Sequence, residues 1–286
     1  MRVAIVQLPA RFVEDASLAA GLRSIAVILE AIQFEESIDL VVFPENFPAS
    51  NIHACAREGD VASALARLCT GPDLAFMAGG YVIDESEATR NACFLVNGQK
   101  CVGTYYKRIP WQGEAIKAGE HGAAFRWKNF EVVPLICADV CDARNMEGLG
   151  RSRVDEVWPA KLVPDDSCAF KAVVVTTYGA DLRDPYWTEP LSDLVQRTRV
   201  PAVVSGVSGE SLATFWEGEE TEIERHYGGG GSGAYFPTET GSPRVWPENL
   251  PRSASRGIYL IDLKEPDQRR RIAIPYEALR IGSIQY

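Results

Sequence analysis

Apolar residues in this chain fall into short unbroken runs that alternate with stretches of helical spacing, and that alternation predicts the elements. Residues 2–8, Arg-Val-Ala-Ile-Val-Gln-Leu, form a β-branched run closed by Pro9 and predict a buried strand. After Asp15 and Ser17 as candidate N-caps, Leu18, Leu22, Ile25, Leu29 and Ile32 recur at helical spacing and predict an amphipathic helix. Leu40-Val41-Val42-Phe43 is a second strand ended by Pro44, residues 61–69 a short helix, and Leu74 to Ile83 a third strand. Runs at 91–96 and 100–106 are joined by Asn97-Gly98, a dipeptide that accepts the positive φ angles of a tight hairpin turn. Val132 to Ile136 is the next strand, and Pro134 within it predicts an edge position or a bulge, because proline cannot donate to a ladder. Strands at 172–175, 202–205 and 258–262 complete the pattern, with Leu191, Leu194 and Val195 on an intervening helix. Neither linker nor repeat divides the 286 residues, so the prediction is one α/β domain, a mixed sheet flanked by helices. The Gly228–Gly231 run reads as a mobile loop, since neither Gly-Lys-Ser/Thr nor a helix follows it.

Composition narrows the class without changing this picture. With 46% hydrophobic and 24% charged residues, the chain can bury a core, and disorder and disulfide scaffolds are excluded. A net charge of −10 without a Lys/Arg-rich run argues against a nucleic-acid partner. Apolar stretches stop well short of the ~18 residues of a membrane span, and residues 1–7 are too short for a signal-peptide core. A cytoplasmic protein with no membrane partner is therefore expected. The seven cysteines include no CxxC pair, and six of them read as small buried hydrophobes of a reducing compartment.

The seventh, Cys137, stands at the end of a strand-like run, as do Glu45 and Lys107. In open α/β sheets the carboxyl ends of strands are where ligands bind. A carboxylate beside a thiol can take its proton, and an ammonium can hold the oxyanion of a tetrahedral intermediate, which is what acyl transfer through a thioester needs. Only His53, His121 and His226 exist as imidazole bases, so the carboxylate is the expected base. With all three roles filled by side chains and no cluster at metal-ligand spacing, no cofactor and no metal are expected.

These residues sit in segments that together resemble the carbon-nitrogen hydrolase (nitrilase) superfamily. Leu40 to Pro48 is similar to its apolar-Pro-Glu signature. Asn91-Ala92 through Gly98 to Tyr105-Tyr106-Lys107-Arg108-Ile109-Pro110 is similar to its Lys signature, and Leu135-Ile136-Cys137-Ala138-Asp139 to its Cys signature. Gly231 to Gly241 is similar to the late Gly-x-Ser-apolar-Pro-x-Gly segment. The match departs after the nucleophile, where Ala138-Asp139-Val140-Cys141-Asp142 replaces the aromatic-Asp and Pro-Glu pattern, and it is weaker in the second half.

The resemblance implies a four-layer α-β-β-α sandwich, two mixed sheets flanked by helices. It implies Glu45 as base, Cys137 as nucleophile and Lys107 as oxyanion partner, with Glu114 supporting. A backbone N–H near Ala138, with Asp139 and Cys141, would line the oxyanion pocket, and His53, Trp111, Arg144 and Tyr178 are candidate substrate contacts. Cys followed by x-Asp is similar to the amidase and carbamoylase branches rather than to nitrile hydrolases. The expected activity is hydrolysis of a non-peptide amide. The alternatives are N-carbamoyl hydrolysis, with Arg144, Arg151 or Arg153 binding a carboxylate, and a non-catalytic binding protein of the same fold. A homodimer or higher homo-oligomer is expected, with the last ~20 residues a tail free for such contacts.

Overall fold

The computed structural model describes residues 1–35, 37–69, 71–111, 114–140, 170–178, 185–210, 227–229, 232–246, 257–281 and 284–285. The opening run forms β1 (Arg2–Pro9). Apart from Arg2 and Gln7 it is apolar, because both of its faces are covered. Val3 and Ile5 join the core between two sheets, while Ala4, Val6 and Leu8 face helices. Those helices are α1 (Ala10–Asp15), α2 (Leu18–Gln33) and, later, α3 (Glu58–Ala66). Ser17 caps α2 by accepting from the Ala20 N–H at 3.3 Å. The third helix starts three residues before the expected 61–69, with Glu58 and Asp60 in its first turn, where carboxylates suit the helix dipole.

Around β1 the first sheet collects β2 (Leu40–Val42), β3 (Pro48–Ala49), β4 (Ala56–Arg57), β5 (Ala75–Ile83), β6 (Thr89–Asn97) and β7 (Lys100–Tyr106). The second sheet is formed by β8 (Phe125–Trp127), β9 (Phe130–Ile136), β10 (Phe170–Thr176) and β11 (Ala202–Ser205). After β11 the chain returns to the first sheet as β12 (Val207–Glu210) and β13 (Tyr227–Gly229). It adds β14 (Gly233–Phe236) and β15 (Arg244–Trp246) to the second sheet, then β16 (Gly257–Asp262) and β17 (Arg269–Ile272) to the first. Trp187, Leu191, Leu194 and Val195 of α4 (Pro185–Thr198) pack into the core of the second sheet. The order of layers is α-β-β-α, as the family resemblance implied. The single mixed sheet suggested by the hydrophobic pattern is in fact two, because a buried strand reads the same whichever sheet it joins.

Three local expectations change, and the edge position expected at Pro134 is met. Asn97 pairs with Lys100, so the hairpin turn is Gly98-Gln99, with φ of 55° and 63°, one residue later than expected. The Asn97 side chain instead donates to the carbonyls of Pro72 and Leu74. Pro134 lies in register with Val174, but β8 pairs only as far as Val132, so among the described strands β9 is an edge on that side at Pro134. The glycine run opens as a strand, Gly228 and Gly229 pairing with Gly209 and Ser208 of β12, whereas Gly230 and Gly231 lie outside the described residues. The C-terminal segment is not a loose tail, since Ile274, Ala278 and Leu279 are buried in the same core as α2.

Two features fix the packing beneath the strand ends, one between the sheets and one within the first. Ser205 of β11 donates from its buried hydroxyl to the carbonyls of Val6 (2.7 Å) and Val42 (3.1 Å), linking the second sheet to β1 and β2. Gly80, at φ 135°, lets β5 approach β3 so closely that a Cβ there would lie 2.1 Å from the Ala49 carbonyl oxygen. No helix among the described residues is long and apolar enough to cross a membrane.

Candidate active site

Strand register explains how residues distant in sequence meet. In the first sheet Tyr81 of β5 pairs with Asn91 of β6, and the Lys107 N–H donates to the Asn91 carbonyl at 2.9 Å, so Tyr81, Asn91 and Lys107 form one row across three strands. Glu45 lies just past β2, between Phe43 and Phe47, both fully buried. In the second sheet Ile136 pairs with Thr176 and Thr176 with Ser205, so Cys137 and Thr177 leave adjacent parallel strands side by side.

The first row carries a buried charge cluster. Lys107 Nζ lies 2.9 Å from Glu45 Oε1 and 2.8 Å from Glu114 Oε2, and all three side chains are at most 3% exposed. Glu45 Oε1 also accepts from Asn91 Nδ2 at 2.8 Å, and its Oε2 accepts from the Tyr178 backbone N–H at 3.0 Å. Glu114 accepts from Tyr81 OH (3.0 Å), Asn91 Nδ2 (3.1 Å) and the Trp111 N–H (2.8 Å). Burial alone disfavours the lysine's charge, but the two carboxylates outweigh it and hold its pKa well above the ordinary lysine value. For Glu114 burial again opposes ionisation, and Lys107 with the hydrogen bonds prevails, leaving its pKa below the usual value. Two of the three ammonium hydrogens are engaged; the third has no partner among the described residues.

Cys137 adopts φ 44° at the start of a 3-10 turn, Cys137–Asp139, and is 8% exposed. Its pKa is pushed up to about 12, first by burial and then by the Glu45 charge, with Lys107 acting in the opposite sense. The resting sulfur is therefore a neutral thiol, and its proton must be taken by a base as it reacts. Glu45 lies within electrostatic reach of it. Each carboxylate oxygen has two acceptor sites, and the Glu45 bonds leave one of them, on Oε2, open.

Asp139 does not line a pocket, contrary to the expectation from the sequence. It is completely buried, and it accepts from Tyr105 OH (2.7 Å) and from the backbone N–H groups of Ile136 (3.0 Å), Arg108 (3.1 Å) and Ile109 (2.9 Å). It thus ties the Cys137 turn to the segment that follows Lys107. Burial raises its pKa to about 6 in spite of these four donors. Its contribution to stability is therefore fully present below pH 3.8 and is lost as pH rises through about 6. Asp139→Asn places an amide N–H against at least one of the donors and is expected to cost roughly 1–3 kcal/mol. It also removes this component of the pH dependence. Urea unfolding of both proteins at several pH values checks this, and an unchanged midpoint would mean the donors do not depend on the carboxylate.

The remaining expected residues divide. Tyr178 is at the site, through its N–H on Glu45 and a hydroxyl that donates to Glu14. Trp111 is half-buried, packs against the inter-sheet core, and meets Glu114 through its backbone. His53 sits exposed in the turn after β3, its N–H bonded to Asn51 Oδ1. Cys141 and Arg144 lie outside the described residues. Cys69 and Cys93 are buried, Cys55 and Cys101 only half-buried, and all four are free thiols. Sequence reasoning missed Asn91, Tyr81 and Thr177. Asn91 alone left a signal, a polar residue opening the apolar run 92–96. Among the described residues no group of His, Cys, Asp and Glu could hold a metal ion.

No protein-family model matches the chain, and no curated protein sequence does. A nitrilase-superfamily amidase from Nesterenkonia AN1 superposes with a TM-score of 0.61 over 93% of this chain and 91% of its own, at 16% identity. The chain has the nitrilase-superfamily fold. Nit3 from Saccharomyces cerevisiae, a branch 10 member of that superfamily, matches it with a TM-score of 0.61 and 17% identity over 85% of this chain and 84% of its own. Glutamine-dependent NAD+ synthetase from Acinetobacter baumannii gives 0.58 and 15% over 93% of this chain, but only 46% of the synthetase is matched. In two further structures of the Nesterenkonia amidase, acrylamide or the acetamide moiety of fluoroacetamide is added at the active-site cysteine. The nitrilase fold thus accommodates chains of very different sequence on the two sheets described above.

Proposed function

We propose that the protein is an amidase-type carbon-nitrogen hydrolase that cleaves a small non-peptide amide through a thioester on Cys137. The observation that carries this reading is a buried ammonium held between two carboxylates and facing a neutral thiol at a positive-φ turn. The adducts at the active-site cysteine of the Nesterenkonia amidase support a nucleophilic cysteine on this fold.

In the proposed reaction Glu45 takes the thiol proton as sulfur attacks the amide carbonyl, so that the S–C bond forms while the carbonyl π pair moves onto oxygen. The third hydrogen of the Lys107 ammonium and a backbone N–H near Ala138 stabilise that oxyanion. Glu45 returns the proton to the leaving nitrogen, and ammonia or an amine departs. It then takes a proton from water as the water oxygen attacks the thioester carbonyl; the C–S bond breaks, the acid is released, and the proton passes from Glu45 back to the departing sulfur. Glu114 keeps Lys107 charged and oriented, a positioning role.

Intact-mass and peptide mass spectrometry during turnover of small amides and N-carbamoyl amino acids tests the proposal. The expected result is an acyl mass on the Cys137 peptide with the preferred amides. A carbamoyl adduct instead would select the N-carbamoyl reading, and turnover that persists without any adduct in a Cys137→Ala protein would overturn the thioester route.

A further inference from the structure

Thr177 is completely buried, and its hydroxyl makes no well-formed hydrogen bond in the resting site. Its backbone is fixed, because the Thr177 N–H donates to the Ser205 carbonyl at 2.9 Å and the preceding residue is in register with Ile136. That register sets Thr177 next to Cys137, and its hydroxyl stands against the thiol closely enough to lower the thiol's proton affinity. The two successive threonines divide by strand alternation. The Thr176 hydroxyl acts in the same way on Cys93, while Thr177 turns to Cys137. A valine would fill the same volume at position 177 without burying an unsatisfied hydroxyl, which is a net cost to the folded protein. A neutral thiol is only a weak acceptor, whereas a thiolate accepts strongly.

We propose that Thr177 is the hydrogen-bond donor that receives the developing thiolate of Cys137. This rests on Cys137 being the nucleophile. When the S–H bond breaks, the proton goes to Glu45 and the electron pair stays on sulfur. The Thr177 O–H bond remains intact and donates to that pair. The sulfur then carries its charge between two donors, the Lys107 ammonium from the first sheet and the Thr177 hydroxyl from the second. Once the S–C bond has formed the charge has left sulfur, so the hydroxyl acts on the step that generates the nucleophile.

The test is the rate at which iodoacetamide alkylates Cys137, followed by peptide mass spectrometry across pH 6–10. It compares the unmodified protein with Thr177→Val, Thr177→Ala and Thr177→Ser. Alkylation consumes thiolate whether or not the protein turns over an amide, so it reports on Thr177 separately from the proposed reaction. The expected result is a fall of about tenfold for Thr177→Val and Thr177→Ala, the scale of one charge-assisted hydrogen bond, with Thr177→Ser close to the unmodified rate. Melting temperatures are expected to be unchanged or higher for Thr177→Val. Equal alkylation rates in all four proteins would overturn the proposal, as would a fall in Thr177→Ser as large as in Thr177→Val. Amide hydrolysis that survives Cys137→Ala would overturn the nucleophile assignment instead, whatever the alkylation rates.

Discussion

Cys137→Ser is expected to lose at least about 10³-fold in amide hydrolysis while keeping its fold, the range seen when a nucleophile is removed from a set of groups that act together. Burial already holds the thiol proton, with a pKa pushed up to about 12, and a serine hydroxyl in the same place is a far weaker acid that Glu45 cannot deprotonate. The turn itself is not at risk. It is held by the Val140 N–H on the Cys137 carbonyl (3.0 Å) and by the four bonds to Asp139, none of which involves the sulfur. Ammonia release, measured beside the melting temperature, checks both halves. A variant that keeps more than a few per cent of the activity would show that another group does the attack.

Glu45→Gln is expected to abolish acylation, a loss of about 10²–10⁴-fold for a general base. The carboxamide cannot take the thiol proton. It also disturbs its own shell, because Lys107 and Asn91 donate to one oxygen and the Tyr178 N–H to the other. Turning the amide nitrogen to either side sets donor against donor, at a cost of roughly 1–3 kcal/mol. Lys107 keeps Glu114 at 2.8 Å, so the ammonium remains paired and the cluster does not collapse. Pre-steady-state ammonia release discriminates. Loss of the burst with a stability change of that size is the expected outcome, and a full burst would remove Glu45 from base duty.

How much of this was legible beforehand depends on what each feature writes into the sequence. The runs at 2–8 and 40–43 became strands because a strand buried on both faces needs a largely apolar run, the half-exposed strand at 100–106 was marked by its hairpin turn, and the residues at the ends of these runs could be named from that alone. Glu45 and Lys107 stand at such ends, Glu114 came from the match to family segments, and the structure brings the three together. The two-residue strands Pro48–Ala49 and Ala56–Arg57 are too short to show any period. Asp139 was misread because a carboxylate after a reactive cysteine looks alike in sequence whether it faces a ligand or four donors. The rows that join Tyr81 to Asn91 and Cys137 to Thr177 depend on strand register, which the residue pattern constrains by parity but does not fix. The Tyr178 contact with Glu45 is made by a backbone N–H, which any non-proline residue would supply.

The cluster of two carboxylates and one ammonium leaves one negative charge in excess at the bottom of a site with little solvent to screen it. An uncharged amide enters at no electrostatic penalty. In the proposed reaction the acid half of the substrate forms as a neutral carboxylic acid, since the proton taken from water returns to sulfur, and it ionises once it reaches solvent. The excess charge that let the amide in then opposes the return of the anion, so the site discriminates against rebinding its own product.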